Sequence, residues 1–416
     1  MSEHVKLSEV CEILNSNVDK KIKENEQKVK LCNFTDVYNN WAITKYTSKK
    51  FMKATATQNE INKFSLKKGY VAITKDSETK DDIGISTYIA DNFDNVLLGY
   101  HCTLLKPNQK VLNGKFLNAY LSSFYGRKYF SNCASGSGQR YTLTIDTIKD
   151  LNIPLINIET QQKIARTLSV LDQKIENNHK INELLHKILE LLYEQYFVRF
   201  DFLDENNKPY QTSGGKMKFS KELNRLIPND FEVKTLGELI TWISGSQPPK
   251  SCHIYEHKEG YIRFIQNRDY SSNDYITYIP ISKNNKICYQ YDIMMDKYGE
   301  AGSVRFGLQG AYNVALSKIS VLNQSMQEYI RSYLNSKPIK KYLSNACMAS
   351  TRASLNENHI YSLMLPIPPI NLLQKYEKIA KNIITAIINN NQSTQTLTAL
   401  RDFLLPLLLK QQVKPK

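Results

Sequence analysis

Long hydrophobic runs, paired cysteines and nucleotide-binding glycine loops are all missing from this sequence. The most apolar stretch covers residues 403–409 and contains Pro406, so it is far shorter than the roughly 18–20 residues that cross a bilayer. The N-terminus has no apolar segment, and we therefore expect no secretory signal. Seven cysteines are scattered without a CxxC pair, which predicts reduced thiols in a cytoplasm rather than a disulfide framework or a zinc ribbon.

A convincing catalytic constellation is missing as well. The sequence has no GxxxxGK[ST] loop for ATP and no amino-methyltransferase string such as DPPY or NPPF. His253 and His257 belong to an HxxEH string, but the flanking prolines and Gly260 predict a loop instead of the helix that such a zinc site requires. Glu232 and Lys234 resemble half of a nuclease metal site, without an identifiable second carboxylate. A metal-dependent nuclease or hydrolase is therefore kept only as an alternative.

Positive charge is what the sequence has in excess. Lys and Arg number 55 against 40 Asp and Glu, so the 416-residue chain carries a formal charge of +15. Such a balance favours polyanionic partners, because binding to phosphates releases their counterions. Anionic lipid is a less suitable partner, because the sequence contains no evident basic amphipathic helix of the kind that binds a membrane surface. Nucleic acid is therefore the predicted partner.

Two segments of the chain align without a gap at a constant offset of 212 residues. Between residues 140 and 192, 13 of 53 positions are identical to their counterparts, including Arg140 with Arg352 and Pro154 with Pro366. The units of solenoid proteins repeat every 20–50 residues, roughly, so an offset of 212 residues is too long for a solenoid. We therefore predict two copies of one module in a pseudo-twofold molecule.

The second part of each copy has the pattern of one long helix. From residue 160 to 196, and from about 372 to 405, apolar side chains recur every three to four residues. Each helix has a single apolar stripe, which predicts that the two pair as an antiparallel coiled coil. The predicted helix-pair core consists of Leu168, Leu171, Ile175, Leu185, Leu192, Ile383, Ile387, Leu397 and Leu404.

Both stripes are interrupted by polar residues at the same place. These are Asn178 and Asn182 in the first copy and Asn390 and Thr394 in the second. Two interpretations remain open. The positions face water, or they form a polar layer that fixes the register of the helix pair at some cost in stability.

A region of mixed strand and turn character precedes each helix. Short β-like runs such as 70–74 (YVAIT) and 261–265 (YIRFI) alternate with turn residues. The two regions have diverged far more than the helices, which is typical of a protein with two different ligand specificities. Residues 204–221 are rich in Gly, Asn and Ser and form the predicted linker between the halves.

Basic, amide and aromatic side chains in these two regions are the candidates for contacting DNA. In the major groove Arg and Lys bind guanine O6 and N7, and Asn and Gln bind adenine N6 and N7. Any one of them can equally be a solvated surface residue, so the set predicts an interface and not individual base contacts. The candidates are Lys45, Arg127, Lys128, Gln139, Arg140, Gln247, Lys250, Asn267, Arg268, Lys297, Tyr298, Arg305, Thr351 and Arg352.

Taken in order, these motifs resemble the specificity subunit of type I restriction–modification systems. The resemblance is carried by GSGQRYTLTIDTIKDLNIPLINIETQQKIARTLSVLDQKIENN and by its copy STRASLNENHIYSLMLPIPPINLLQKYEKIAKNIITAIINNN. A third carrier is the opener of the second copy, IPNDFEVKTLGELITWISGSQPP, which also accounts for Glu232 and Lys234 without any nuclease. The resemblance covers essentially the whole chain, and its specificity lies in the ordered combination.

The resemblance implies an α+β fold in which two globular α/β target-recognition domains are separated by two long antiparallel helices. The domains would occupy residues 1–157 and 204–368, and the conserved helical regions residues 158–203 and 369–416. Each domain would read one half of a bipartite, asymmetric site in double-stranded DNA, and the helices would set the spacer between the halves.

The resemblance further implies that the chain is not catalytic and binds no cofactor itself. Two modification (methyltransferase) subunits and the restriction (translocase and nuclease) subunits would use S-adenosylmethionine, ATP and Mg²⁺, in a prokaryotic cytoplasm and without a membrane. Two other functions stay open beside it. They are the metal-dependent nuclease or hydrolase, and a basic coiled-coil scaffold that binds nucleic acid by shape.

Overall fold

The computed structural model describes residues 3–136, 138–273, 275–348 and 354–413. Its internal contacts divide the chain into two compact units. The first unit consists of Met1–Asn177 with Ser393–Lys416, and the second of Asn178–Gln392. Both boundaries fall inside the two long helices, so each unit contains a strand-rich head and one stretch of each helix. The first head is residues 3–155 and the second head residues 199–367. The predicted α+β composition is confirmed.

The elements of the first unit are short except for its long helix. Its strands are β1 (Glu3–Lys6), β2 (Cys11–Asn15), β3 (Gln27–Cys32), β4 (Ala42–Ile43), β5 (Met52–Ala56), β6 (Val71–Thr74), β7 (Asp76–Ser77), β8 (Ser86–Ile89), β9 (Val96–Leu98), β10 (Cys102–Pro107), β11 (Ser135–Gly136), β12 (Tyr141–Thr142) and β13 (Asn152–Leu155). Its helices are α1 (Leu7–Val10), α2 (Phe34–Asn39), α3 (Gln58–Phe64), α4 (Gly114–Ser122), α5 (Phe124–Cys133), α6 (Ile145–Lys149) and the start of α7 (Ile158–Tyr193).

Two sheets form most of the first head. The central sheet has the strand order β2-β10-β6-β8-β4 and is antiparallel except for the parallel β4–β8 pair. A smaller sheet has the order β5-β3-β9. The helices α2 and α4 both pack against β6 and β8, and every residue of these two strands is buried. This burial explains why residues 71–73 are continuously apolar instead of alternating with polar residues.

The second unit repeats this plan with fewer helices ahead of its long one. Its strands are β14 (Met217–Ser220), β15 (Arg225–Pro228), β16 (Glu232–Thr235), β17 (Ile240–Ser244), β18 (Tyr261–Ile265), β19 (Tyr278–Pro280), β20 (Ile287–Cys288), β21 (Ile293–Asp296), β22 (Val304–Arg305), β23 (Gly310–Tyr312), β24 (Leu316–Val321) and β25 (Met364–Ile367). Its helices are α8 (Gln327–Asn335), α9 (Lys337–Met348), α10 (Glu357–Tyr361) and most of α11 (Ile370–Leu409), and α7 ends in a π-helical turn, Glu194–Val198.

The two main sheets of the second head share most of their strand order with those of the first, although β4 and β20 have no counterparts. The order β17-β24-β21-β22 matches β2-β10-β6-β8, and β18 pairs parallel with β23 and antiparallel with β19, as β3 does with β9 and β5. Backbone hydrogen bonds match as well. The Leu7 amide donates to the Leu151 carbonyl at 2.8 Å, and the Leu236 amide donates to the Leu363 carbonyl at 2.7 Å. Leu151 and Leu363 stand 212 residues apart, so the repeat extends from the sequence to the hydrogen-bonded frame.

In the first unit the start of α7 runs antiparallel to the end of α11, as predicted. Ile164 and Leu168 share one buried core with Leu405 and Leu408. Asp172, further along α7, lies 3.8 Å from the guanidinium of Arg401, which comes earlier on α11. The order of contacts along the two helices therefore reverses, which defines the antiparallel pairing.

A polar contact links these helix stretches to the first head. The Arg401 guanidinium lies 4.4 Å from the centre of the Trp41 ring, a distance typical of a cation–π interaction. Burial raises the pKa of the Asp172 carboxyl to about 6, although the positive charge of Arg401 opposes this shift. Trp41 directly precedes β4, so this contact joins the α11 stretch to an edge strand of the central sheet.

In the second unit the end of α7 pairs with the start of α11 in the same antiparallel sense. Phe197 packs against Tyr376, with ring centroids 4.8 Å apart. Further back along α7, the Asn390 side-chain amide donates to Asn182 Oδ1 at 2.9 Å. The Asn182 amide in turn donates to Asn391 Oδ1 at 2.8 Å. In this unit the structure favours the polar-layer interpretation, because the asparagine amides bond across the helix pair.

The predicted helix-pair core residues differ in burial. Leu168, Leu171 and Ile387 are buried, whereas Ile175, Leu185, Leu192, Ile383, Leu397 and Leu404 are half-buried. The helices also pack against the heads, and Tyr193 of α7 shares its core with Tyr329 of α8. The burial of a residue on these helices therefore depends on contacts with the heads as well as on contacts with the other helix. Within the described part of the chain, no helix combines the length and apolar character that spanning a membrane requires.

Two carboxylates, the buried Glu328 and the half-buried Glu377, lie where α11 meets α8. Glu377 Oε2 accepts the Glu328 amide at 2.8 Å, and the buried Glu328 carboxylate is held by Arg331 through Nε at 2.7 Å. Burial, and to a lesser extent the Glu328 carboxylate, raise the pKa of Glu377 to about 7. The folded state therefore binds this proton more tightly than the unfolded chain. The free energy of unfolding is highest at pH values where Glu377 is protonated, and it falls as the pH rises from about 4.5 to about 7.

We expect Glu377→Gln to stabilise the protein at alkaline pH. The glutamine Oε1 still accepts the Glu328 amide, but position 377 can no longer carry a negative charge next to the Glu328 carboxylate. After allowance for partial exposure, the free energy of unfolding at pH 8 should rise by about 1–2 kcal/mol, with little change at pH 5. Urea denaturation at both pH values measures the difference, with the exposed Glu259→Gln as control. An equal effect of Glu377→Gln at both pH values would contradict the assignment.

Candidate nucleic-acid interface

In the first head a lysine lies at the end of the central sheet. Lys75 directly follows β6, and its amide donates to the His101 carbonyl at 3.1 Å. Its carbonyl accepts the Leu143 amide at 2.8 Å. The side chain is half-buried, and its ammonium lies 4.7 Å from the ring centre of Tyr100, which is 51% exposed. Backbone hydrogen bonds therefore hold a cation beside an exposed aromatic ring.

The next residue, Asp76, orients two further side chains at this edge. Asp76 Oδ2 lies 2.8 Å from His101 Nδ1 and 3.2 Å from Arg140 Nη2. The Asp76 side chain is 14% exposed and that of Arg140 is 58% exposed, so a mostly buried acid directs an accessible guanidinium. The N–H groups of a guanidinium that face solvent can donate to guanine O6 and N7 or to a phosphate.

Arg127 is held by the first head itself. Its guanidinium donates to the Ile83 carbonyl at 2.6 Å and also to the Asp81 carbonyl. Burial lowers the pKa of this guanidinium. These hydrogen bonds stabilise the loop that follows β7. They also occupy guanidinium N–H groups that a contact with DNA would require. The other candidates in this head are exposed: Lys45, Lys128 and Gln139.

In the second head Lys297 occupies the position of Lys75. It directly follows β21, its amide donates to the Ala315 carbonyl at 2.8 Å, and its carbonyl accepts the Leu355 amide at 3.0 Å. Leu143 and Leu355 are partners in the 212-residue repeat. The Lys297 ammonium lies 5.8 Å from the ring centre of Tyr298.

An open cleft of about 370 Å³ lies beside this lysine. It is lined by Trp242, Ser244, Lys297, Tyr298 and residues 354–358. The Asn267 side-chain amide donates to the Tyr298 carbonyl at 3.4 Å, and Asn267 Oδ1 is buried without a hydrogen-bond partner among the described residues. The cleft thus combines an ammonium, a hydroxyl and two aromatic rings, which are groups that bind phosphates, sugars and bases.

Arg305 is engaged within the second head. Its Nε and Nη2 lie 3.0 and 2.9 Å from Asp296 Oδ2, and Nη2 also lies 2.5 Å from Glu300 Oε2. Burial raises the pKa of Asp296, and the hydrogen bonds from Arg305 oppose that shift. The guanidinium therefore neutralises a buried carboxylate. Three other candidates are exposed, Gln247, Lys250 and Arg268, whereas Thr351 and Arg352 lie outside the described residues.

The structure brings together residues that the sequence motifs did not indicate. Lys75, Asp76, Tyr100 and His101 gather around Arg140, and Trp242 and Ser244 line the cleft beside Lys297. A weak signal exists for Lys75. The buried runs 71–75 (VAITK) and 293–297 (IMMDK) both end in lysine, but they stand 222 residues apart and share no other residue.

The HxxEH string lies in a loop and not on a helix, as predicted. His253 and His257 lie in a loop, and their rings pack against Phe264 and Tyr278 respectively. Among the residues that the structure describes, no group of three or more His, Cys, Asp or Glu side chains is arranged to hold a metal ion.

Comparisons with known proteins agree on one family. A family model described as the type I restriction modification DNA specificity domain matches residues 2–187 and 228–399. The MjaIX specificity subunit of a type I restriction enzyme from Methanocaldococcus jannaschii is 28% identical over 349 residues, which is 82% of this chain and 74% of that protein. The HindI specificity subunit from Haemophilus influenzae is 24% identical over 414 residues, or 84% of this chain and 88% of that protein.

A solved structure shows the same fold. The crystal structure of the S subunit of a type I restriction–modification system from M. genitalium has a TM-score of 0.56 and 17% sequence identity. The similarity covers 98% of this chain and 96% of that chain. Since the family model matches both halves of the repeat and most of the sequence, this chain belongs to the family of type I restriction–modification DNA specificity subunits.

Proposed function

We propose that this chain reads a bipartite, asymmetric DNA site for a type I restriction–modification complex. The observation that supports the proposal is that two heads with one backbone frame carry different side chains at the same edge. Asp76 and Arg140 lie there in the first head, and Tyr298 and Asn267 in the second. Base sequence is read by side chains in the grooves, so unlike side chains imply unlike half-sites.

The proposal divides the chain by role. Residues 1–157 and 204–368 would be the two target-recognition domains, and residues 158–203 and 369–416 the helical regions that bind partners. The charge of +15 supplies attraction to phosphates at any sequence, and the two edges supply selectivity. In each domain the proposed interface is centred on the edge described above. Arg127 and Arg305 would support it by shaping loops instead of contacting DNA.

Partner-binding surfaces are proposed on the two long helices. In the second unit α7 exposes Leu184, Ile188 and Leu191, which are spaced by three and four residues. In the first unit α11 exposes Leu400 and Phe403, the counterparts of Ile188 and Leu191 in the repeat. Exposed apolar stripes with this spacing suit a partner helix. Two related stripes suit two copies of one partner, which we take to be the modification subunit.

The chemistry of the complex would then lie outside this chain. Family membership makes the chain the DNA-recognition component, and it disfavours the stand-alone nuclease or hydrolase and the coiled-coil scaffold. Methylation and cleavage would be performed by modification and restriction subunits that use S-adenosylmethionine, ATP and Mg²⁺.

Exchanging one head should change one half of the recognised site. We expect replacement of residues 205–367 by the matching segment of another specificity subunit to alter only one half of the methylated motif. Genome-wide methylation mapping, in cells with the native gene, the exchanged gene or no gene, gives the motif directly. The unmodified gene is the matched control. A change in both halves would contradict the division of labour between the heads.

Arg140→Ala should weaken DNA binding and relax selectivity at the half-site that the first head reads. The loss should be about 1–3 kcal/mol for the target duplex, because a bidentate base contact contributes roughly that much. Competition binding with duplexes substituted at each position measures it. The exposed Lys110→Gln serves as a charge-matched control. Equal weakening for every sequence would assign Arg140 to phosphate instead.

Charges introduced on the exposed stripe of α7 should remove one modification subunit. We expect Leu184→Glu combined with Ile188→Glu to lower the partner-to-chain ratio, because burying carboxylates in an apolar interface is unfavourable. Light scattering after size-exclusion chromatography gives the stoichiometry. The control is Glu183→Gln, a substitution at an exposed position of the same helix outside the apolar stripe. An unchanged ratio at every protein concentration tested would exclude this face.

A further inference from the structure

Several polar residues occupy equivalent positions in the frame that the two heads share. Asp36 and Asp269 are one such pair. Each accepts a backbone amide three residues earlier, that of Asn33 at 2.8 Å and that of Gln266 at 2.9 Å. A capping hydrogen bond of this kind explains why both heads keep an aspartate there.

Glu9 and Glu238 are a second pair with the same explanation. Glu9 accepts the Lys6 amide at 3.2 Å, and Glu238 accepts the Thr235 amide at 2.7 Å. Both carboxylates therefore stabilise the start of a helical turn, which follows β1 in the first head and β16 in the second. Neither pair needs a ligand to account for its presence.

Lys75 and Lys297 are a third pair, and the fold does not explain them in this way. Their backbone groups make equivalent hydrogen bonds, but any residue except proline could make those. Among the described residues, the Lys75 ammonium contacts the Tyr100 ring, and the Lys297 ammonium contacts the Tyr298 ring and Ser244 Oγ at 3.5 Å. No ion pair with a carboxylate of the described chain accompanies these contacts. Each head thus has a positive charge without an acidic partner at the same position of its edge, although the neighbouring side chains differ.

We propose that Lys75 and Lys297 are equivalent phosphate anchors, one for each half of the DNA site. This inference rests on the proposed DNA-reading function. Two different half-sites have different bases, and the feature they share is the sugar–phosphate backbone. A residue that both heads have at the same position is suited to contact that shared backbone. An ammonium group is a point charge, so it can bind a phosphate without distinguishing between bases.

The surrounding residues fit a division between anchoring and reading. Beside Lys75, Asp76 directs the Arg140 guanidinium outward. Beside Lys297, the position of Asp76 is occupied by Tyr298, and Asn267 and the open cleft lie next to it. Anchoring by the lysine fixes the register of each head on the duplex, and the neighbours then meet particular bases.

The test uses the full-length chain assembled with its modification subunits. Binding of a duplex with the mapped target, and of a scrambled duplex of the same length, is measured from 50 to 300 mM KCl. Lys75→Gln and Lys297→Gln should each weaken binding to both duplexes by a similar factor, on the order of tenfold. Each should reduce the slope of log affinity against log salt by about 0.9, the value for one phosphate contact. Lys75→Arg and Lys297→Arg should retain affinity, and Lys110→Gln should leave it unchanged.

A neutral methylphosphonate scan identifies the contacted phosphate in each half-site. At one position in each half, the replacement should weaken the native complex but not the matching Lys→Gln variant. A loss of base selectivity with an unchanged salt slope would overturn the anchor role, as would unchanged binding in both variants. A native complex that does not distinguish the target from the scrambled duplex would instead reject the proposed function, whatever the variants do.

Discussion

The antiparallel pairing of the two long helices is the constraint on which the rest of the structure depends. Because each helix follows its own head in the chain, antiparallel pairing places the start of one helix beside the end of the other. Each compact unit therefore takes a stretch of both. Apolar contacts such as Leu168 with Leu405 hold one pair of stretches, and asparagine amides such as Asn182 and Asn390 bond across the other. Packing favours the pairing, and the polar bonds restrict its register.

The sequence alone was sufficient for the helices, their pairing and the two-headed plan, because periodicity and a constant offset are visible in a single chain. It was not sufficient for the edge residues. Lys75 and Lys297 correspond through backbone hydrogen bonds, and their different spacing removes them from the ungapped repeat. Arg127 and Arg305 are the converse case, since the sequence indicated them as DNA contacts and the structure engages them within the heads. A pattern of charges cannot distinguish a guanidinium in solvent from one that binds a carbonyl or a buried carboxylate, since that depends on the folded surroundings.

One frame can support two recognition surfaces because backbone hydrogen bonds do not depend on the side chains they carry. The position after the shared lysine illustrates this. Asp76 binds a guanidinium, whereas Tyr298 offers a phenol beside an open cleft. The backbone hydrogen bonds of Lys75 and Lys297 are equivalent in the two heads despite this difference. Side chains at this edge can therefore change while the core below them remains as it is.

The first unit is built from both ends of the chain, and this affects how it can form on the ribosome. Domains generally fold in the order in which they are synthesised. The second unit is one continuous stretch, so it can complete its core before the last residues emerge. The first head emerges earlier, but Ile164 and Leu168 lack part of their core until Leu405 and Leu408 have been made. The core of the first unit is therefore completed only after the whole second unit has been synthesised.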